Sequence, residues 1–101
     1  MKNYKILDEE ILKDFCKKYH IKKLSVFGSF LTERYDENKS DIDLLAEFEK
    51  ENIPDLFSFS AMELELTEKL EHKIDLRTFG DLSKYFRNDV LNNAEIIYEQ
   101  K

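Results

Sequence analysis

The sequence predicts an α+β domain with α/β-like character, a small mixed β-sheet covered by helices. Three observations predict it. Apolar residues recur at three- and four-residue spacing over Asp8–Tyr19 and again over Phe57–Glu71, the mark of one-sided helices. Short apolar or alternating runs stand between and after them, at Ile21–Phe27, Asp41–Phe48 and His72–Phe79. The order helix, strand, loop, strand, helix, strand, helix lays helices over a sheet. A non-helical loop joins the first two strands, so they run antiparallel. The second helix is long enough to carry a crossover from the second strand to the third, which makes the sheet mixed.

In the first helix, Ile11, Leu12, Phe15, Cys16 and Tyr19 form the apolar stripe. Asp8 suits its N-cap, and Lys17, Lys18 and His20 suit its negative end. The strand Ile21–Phe27 contributes Leu24, Val26 and Phe27 and stops at Gly28. Phe30 to Lys39 is polar, opening with a short helical turn and reversing at Asp36-Glu37-Asn38-Lys39. Glu49 to Pro54 is a charged connector holding the only proline, which ends regular structure there. In the second helix, Phe59, Met62, Leu66 and Leu70 share a face. Ser60 with Glu63 fits a capping box, and Ser58 is the alternative cap. Glu65 and Lys69 make an i,i+4 pair. Gly80 and Asp81 turn the chain after the third strand. Lys84–Asn92 follows as a third helix burying Phe86, Val90 and Leu91, and Ile96-Ile97-Tyr98 adds a short last strand.

The 101 residues suffice for one domain, 1–101, and 42% hydrophobic against 38% charged is a globular balance. A net charge of −6 argues against stable nucleic-acid binding, which needs clustered Lys and Arg. It is compatible with a basic protein partner. The single cysteine, Cys16, excludes an internal disulfide, reads as a core thiol and fits a reducing cytoplasm. Met1 to Ile6 lacks the apolar run of a signal peptide, and no stretch approaches the ~20 apolar residues that span a bilayer.

The chemistry concentrates between Ser25 and Leu45. An apolar strand ends in Gly28-Ser29, an eleven-residue polar loop follows, and a second strand opens with Asp41-Ile42-Asp43. Strand alternation puts Asp41 and Asp43 on one face and Ile42 and Leu44 on the other. Two carboxylates on one wall suit a hard cation such as Mg²⁺. Gly28 lets backbone N–H groups approach a phosphate, and Ser29 adds a hydroxyl. Asp75, flanked by Ile74 and Leu76, faces away from the core as Asp41 and Asp43 do. With the second and third strands adjacent, three carboxylates converge, an arrangement that repels itself unless cations neutralise it.

Gly28-Ser29, the loop, and Ser40-Asp41-Ile42-Asp43-Leu44-Leu45 resemble the Gly-Ser…Asp-x-Asp motif of the DNA polymerase β-type nucleotidyltransferases. The short length resembles the minimal nucleotidyltransferases, the antitoxin-like partners of HEPN-domain toxins. The resemblance covers nearly the whole chain and implies the polymerase β-type fold. It implies that Asp41 and Asp43 hold two Mg²⁺ ions and that Asp75 holds the catalytic one, making these three the catalytic set. It implies ATP as substrate, with Gly28, Ser29, Arg34 and Ser40 as the nucleotide-binding set. The implied reaction is AMP transfer (AMPylation) to a hydroxyl, a tyrosine of a cognate HEPN-type toxin. Two departures stand out. Relatives often carry Arg three residues after the motif serine and Gly after it, where this chain has Thr32 and Glu33. The loop is also one residue longer than the common form. Arg34 or Lys39 can replace the missing cation; Arg77 can serve too, or pair with an aspartate.

Each feature has a plainer reading. Asp-x-Asp alone is common at a strand start, and Gly-Ser alone is an ordinary turn. His72 reads as a surface loop residue, His20 as a helix-end residue, and Asp8-Glu9-Glu10 as a solvated first turn. Phe59 reads as core, while Phe57 is either core or part of an exposed docking patch. The rival to an enzyme is a degenerate fold that neutralises a toxin by contact alone. Transfer to a small molecule or to RNA is a third reading, disfavoured by the missing second domain and the acidic charge.

Overall fold

The computed structural model describes residues 6–36 and 38–100. The N-terminal Met1–Lys5, Glu37 of the predicted 36–39 turn and Lys101 lie outside the described residues. Helix α1 spans Glu9–Lys18. Asp8 caps it, its carboxylate accepting the Glu10 and Ile11 N–H groups at 2.9 and 3.2 Å. Glu9 and Glu10 stand in solvent as a first turn, and Leu12, Phe15 and Cys16 are buried. Burial pushes the Cys16 thiol up to about 12, so it packs as a small apolar group.

Strand β1 is Ile21–Phe27 and strand β2 Ile42–Phe48, paired antiparallel. A 3-10 turn, Gly28–Leu31, opens the loop between them, with Phe30 buried and packed edge-on against Tyr35. Helix α2, Leu56–Leu70, crosses over to strand β3, Ile74–Arg77, which lies parallel to β2. A 3-10 turn over Phe79–Asp81 leads to helix α3, Arg87–Asn93, and strand β4, Glu95–Glu99. The final strand pairs antiparallel with β1, completing a mixed sheet of order β3-β2-β1-β4.

α1 and α2 pack on one face of the sheet over Leu24, Val26, Leu44 and Ile74. Glu65 ties the two helices together. It accepts from Lys18 at 3.1 Å and from the Tyr19 hydroxyl, and it pairs with Lys69 at 3.1 Å.

Three expectations are corrected here. The cap of α2 is Asp55, which accepts the Ser58 N–H at 2.7 Å, in place of Ser58 or Ser60. Glu63 is not spent on a capping box because it reaches the sheet edge, where its carboxylate accepts the Leu76 N–H at 2.7 Å. α3 starts at Arg87, leaving Phe86 56% and Leu91 49% exposed; a seven-residue helix lying beside a cleft has no core to bury them in. Phe57 is exposed, whereas Phe59 packs on the core against Phe48.

The sheet's β3 edge is capped by side chains from α2: Thr67 accepts the Ile74 N–H at 3.1 Å, as Glu63 accepts that of Leu76. This satisfies edge donors that would otherwise invite another strand. Glu63→Ala strands a part-buried donor, and unfolding stability is expected to fall by about 1–2 kcal/mol, read by urea denaturation. An unchanged midpoint would contradict the capping role.

Candidate active site

The opposite face of the sheet carries the polar groups. Register puts Phe27 beside Asp43 and Asp43 beside Asp75, three side chains in a row across β1, β2 and β3. Their flanks, Ile42, Leu44, Ile74 and Leu76, are buried, as alternation requires.

β1 ends where Gly28 takes φ +74, and a Cβ there would overlap the Asp43 carboxylate oxygen and stand 3.2 Å from its carboxyl carbon. Gly28 is therefore required twice, for its left-handed backbone and for the closeness of that backbone to Asp43. Thr32 closes the turn: its hydroxyl donates to the Ser29 carbonyl at 2.9 Å and accepts the Arg34 N–H at 3.2 Å.

Asp43 is half-buried, and its carboxyl is pushed from 3.8 up to about 6. Burial is the largest cause, followed by the charge of Asp75, a hydrogen bond with it, and the charge of Asp41; Arg77 opposes. Asp75 is gripped by Arg77 in a two-pronged fork, Nε to Oδ1 at 3.0 Å and Nη2 to Oδ2 at 3.2 Å. That fork raises the arginine's pKa. Of the readings open for Arg77, pairing is the one realised.

Asp41 is exposed and precedes β2, whose ladder opens with the Ile42 N–H donating to the Lys73 carbonyl at 3.0 Å. Strand alternation does not bind it, so Asp41 bears on Asp43 through its charge rather than as a third member of the row. Among the described residues no three such side chains stand together as a ready-made metal cage. What is present fits a hard cation all the same. The donors are oxygens, and a carboxyl pushed up to about 6 by burial first and by the charges of Asp75 and Asp41 after it marks a cluster short of positive charge.

Two clefts flank this row. The smaller, about 240 Å³, is lined by Asp43, Asp75, Arg77, Asp81 and Ser83. The larger, about 700 Å³, runs from Gly28, Ser29, Thr32 and Arg34 to Asp89, Asn93 and Glu95. Phe27, Leu82 and Phe86 line both, so the clefts meet at one apolar ridge. Ser40 and Lys39 line neither; the Ser40 hydroxyl instead accepts the Asp36 N–H at 3.0 Å and closes its own loop.

Sequence reasoning missed Asp81, a third carboxylate at the acidic cleft beside Asp43 and Asp75. Its carboxylate accepts the Thr78 N–H at 3.0 Å and the Thr78 hydroxyl at 3.1 Å. The Thr-x-x-Asp spacing after the third strand is the signal that could have found it. Ser83 and Phe86 carried no such signal, because the turn that brings them to the cleft is not periodic.

A sequence profile described as the nucleotidyltransferase domain matches residues 8–97. The chain belongs to the nucleotidyltransferase domain family. A relative from Methanocaldococcus jannaschii bearing the name "putative protein adenylyltransferase" is 33% identical over 78 residues, covering 76% of this chain and 80% of that protein. One chain of a toxin–antitoxin complex solved with AMP-PNP superposes at a TM-score of 0.74, with 17% identity, over 93% of this chain and 75% of its own. A complex of the tri-AMPylated Shewanella oneidensis HEPN toxin with its MNT antitoxin gives a TM-score of 0.68, with 16% identity over 93% of this chain and 71% of the matched one. At such identities the likeness to the solved chains is one of fold. Within this nucleotidyltransferase, no helix among the described residues is long and apolar enough to cross a membrane.

The Asp43 shift has a pH signature. A carboxyl raised from 3.8 to about 6 adds stability that is complete below about pH 4 and is lost as pH rises through 6. Relative to Asp43→Asn, the metal-free chain is expected to lose about 1 kcal/mol between pH 4 and pH 7.5, after discounting for solvent screening. Mg²⁺ at pH 7.5 is expected to restore it. Thermal unfolding at the two pH values, with and without Mg²⁺, checks this; parallel behaviour of the two proteins would contradict it.

Proposed function

We propose that this protein is a Mg²⁺-dependent protein adenylyltransferase that moves AMP from ATP to a hydroxyl of a partner. A tyrosine of a HEPN-type toxin, which the modification silences, is the acceptor that fits best. The observation that carries the reading is the side-by-side pair Asp43 and Asp75, with Gly28 held against Asp43. The family, the name of the archaeal relative, and the AMP-PNP and AMPylated toxin of the neighbouring complexes support it.

In this reading Asp43 and Asp75, with Asp41 at the entrance, hold two Mg²⁺ ions. When bound, these supply charge neutralisation of the triphosphate and a lowered pKa for the acceptor hydroxyl. Gly28 and Ser29 offer backbone N–H groups and a hydroxyl to the β- and γ-phosphates. Arg34, on the larger cleft, supplies the loop's cation in place of the arginine that Thr32 displaces. Arg77 fixes Asp75 in orientation, making it a positioning residue. Phe27, Leu82 and Phe86 exclude water between the two clefts. Ser40 acts on the nucleotide indirectly, by closing the loop. A reducing cytoplasm is the compartment this reading takes, and the free, buried Cys16 thiol is compatible with it.

One pair of observations favours a second reading, a binding antitoxin without chemistry. Thr32 and Glu33 occupy the phosphate loop, and Asp75 is already committed to Arg77. Toxin neutralisation by the Asp41→Asn, Asp43→Asn double variant separates the two. Loss of neutralisation with the complex still formed is expected for the enzyme. Retained neutralisation would favour binding alone.

A further inference from the structure

One aromatic ring at the candidate site is exposed on a backbone that is held in place. Phe86 stands 56% exposed just before α3, and it lines both the acidic cleft and the cleft of Ser29 and Arg34. The Phe86 and Arg87 N–H groups donate to the Ser83 carbonyl at 3.0 and 3.1 Å, and the Phe86 carbonyl accepts the Val90 N–H at 3.0 Å. Arg87 Nε donates to the Leu82 carbonyl at 3.1 Å, and its guanidinium lies over the Phe79 ring, 5.2 Å from the centroid. A face of Phe79 is therefore taken. Among the described residues, the Phe86 ring makes no stacking or cation contact.

A ligand that uses both clefts has to cross the apolar ridge to which this ring belongs. In the reading above, the β- and γ-phosphates lie by Ser29 and Arg34, and the α-phosphorus lies by Asp43 and Asp75. Phe27, also on the ridge, sits beside Asp43 in the β1–β2 register, so the ridge starts next to the acid pair. One ribose away from the α-phosphorus the nucleotide carries its base, a flat ring with π-faces suited to an aromatic partner. An acceptor hydroxyl has only to reach the acidic cleft and needs no contact in the other. The nucleotide, rather than the acceptor, is therefore the ligand that meets the ridge.

We infer that Phe86 is the face on which the nucleobase of the donor nucleotide stacks. The inference rests on the nucleotidyl-transfer reading above and adds to it the place of the base. Because the turn before α3 is held by its own hydrogen bonds, the ring is presented on a fixed backbone and binding has little left to order. A stack reads the face of a base and not its edge, so Phe86 supplies affinity for the nucleoside without choosing adenine by itself.

The test measures binding to the full chain, with Mg²⁺, of two probes. One is α,β-methylene-ATP, which cannot release pyrophosphate; the other is inorganic tripolyphosphate, which has no base. Calorimetry compares the wild type with F86A and F86L. The chain has no tryptophan, so F86W adds a single fluorescent reporter. F86A and F86L are expected to weaken α,β-methylene-ATP about tenfold or more while tripolyphosphate stays within about twofold of its wild-type affinity. F86W is expected to keep its nucleotide affinity and to be quenched by α,β-methylene-ATP but not by tripolyphosphate. Equal losses for both probes would make Phe86 a support of the phosphate site and overturn the stack. Wild-type nucleotide affinity in F86A or F86L would overturn it too, and the proposed function would stand with the base elsewhere. Failure of the wild type to bind either probe would overturn both readings.

Discussion

Asp43→Asn is expected to lower nucleotidyl transfer by roughly 10³-fold or more, the scale of losing a group aimed at transition-state charge. Asp43 is the hub of the acidic row. It is the middle residue between Phe27 and Asp75, it lies under the Gly28 backbone, and it feels both other motif aspartates. The amide keeps the shape but loses the anion on which the proposed cation site depends. The same change removes a carboxyl that burial and like charge have pushed to about 6, so the metal-free protein should unfold no earlier at neutral pH than the wild type. Lost activity with unchanged or improved thermal stability is the distinguishing pair of readouts. Activity within tenfold of wild type would remove Asp43 from the centre of the site.

Gly28→Ala is the second large effect. The added methyl group overlaps the Asp43 carboxylate, and the backbone at φ +74 disfavours any side chain. Together these should cost about 1–3 kcal/mol of stability. They should also cost at least about 100-fold in the proposed transfer, because displacement of Asp43 by a fraction of an ångström loosens both the Gly28–Leu31 turn and the acid pair. The informative control is the double variant Gly28→Ala, Asp43→Ala, which removes the overlap and leaves only the backbone strain. Recovery of part of the stability, without activity, is the expected outcome by calorimetry. Equal destabilisation of single and double variants would mean that the contact with Asp43 does not constrain the loop.

Much of this was legible in the sequence because alternation and helical spacing are strong local signals. Ile21–Phe27 matches β1 residue for residue, and Asp8 is the cap of α1. The antiparallel first pair, the parallel crossover and the short last strand also stand as expected. The pairing of Asp43 with Asp75 followed from strand period and topology together. Three things were not legible. Asp41 falls one residue before the ladder, where alternation no longer dictates direction, and strand ends are set by tertiary hydrogen bonds such as that of Ile42 N–H with the Lys73 carbonyl. Glu63 fits a capping box locally, but the sheet edge offered it a backbone donor that the local pattern cannot reveal. The apolar spacing of Phe86, Val90 and Leu91 suggested a buried helix face. Those residues instead border a cleft or stand in solvent, since amphipathic spacing does not say what the apolar side meets.

The most direct measurement of the central claim is transfer of label from α-labelled ATP to a HEPN-type toxin by the purified chain, with Mg²⁺ and with chelator. The account predicts label on the toxin that requires Mg²⁺ and disappears in the Asp41→Asn, Asp43→Asn variant. Label that persists in that variant, or its absence from a wild-type complex shown to be assembled and supplied with Mg²⁺, would contradict it.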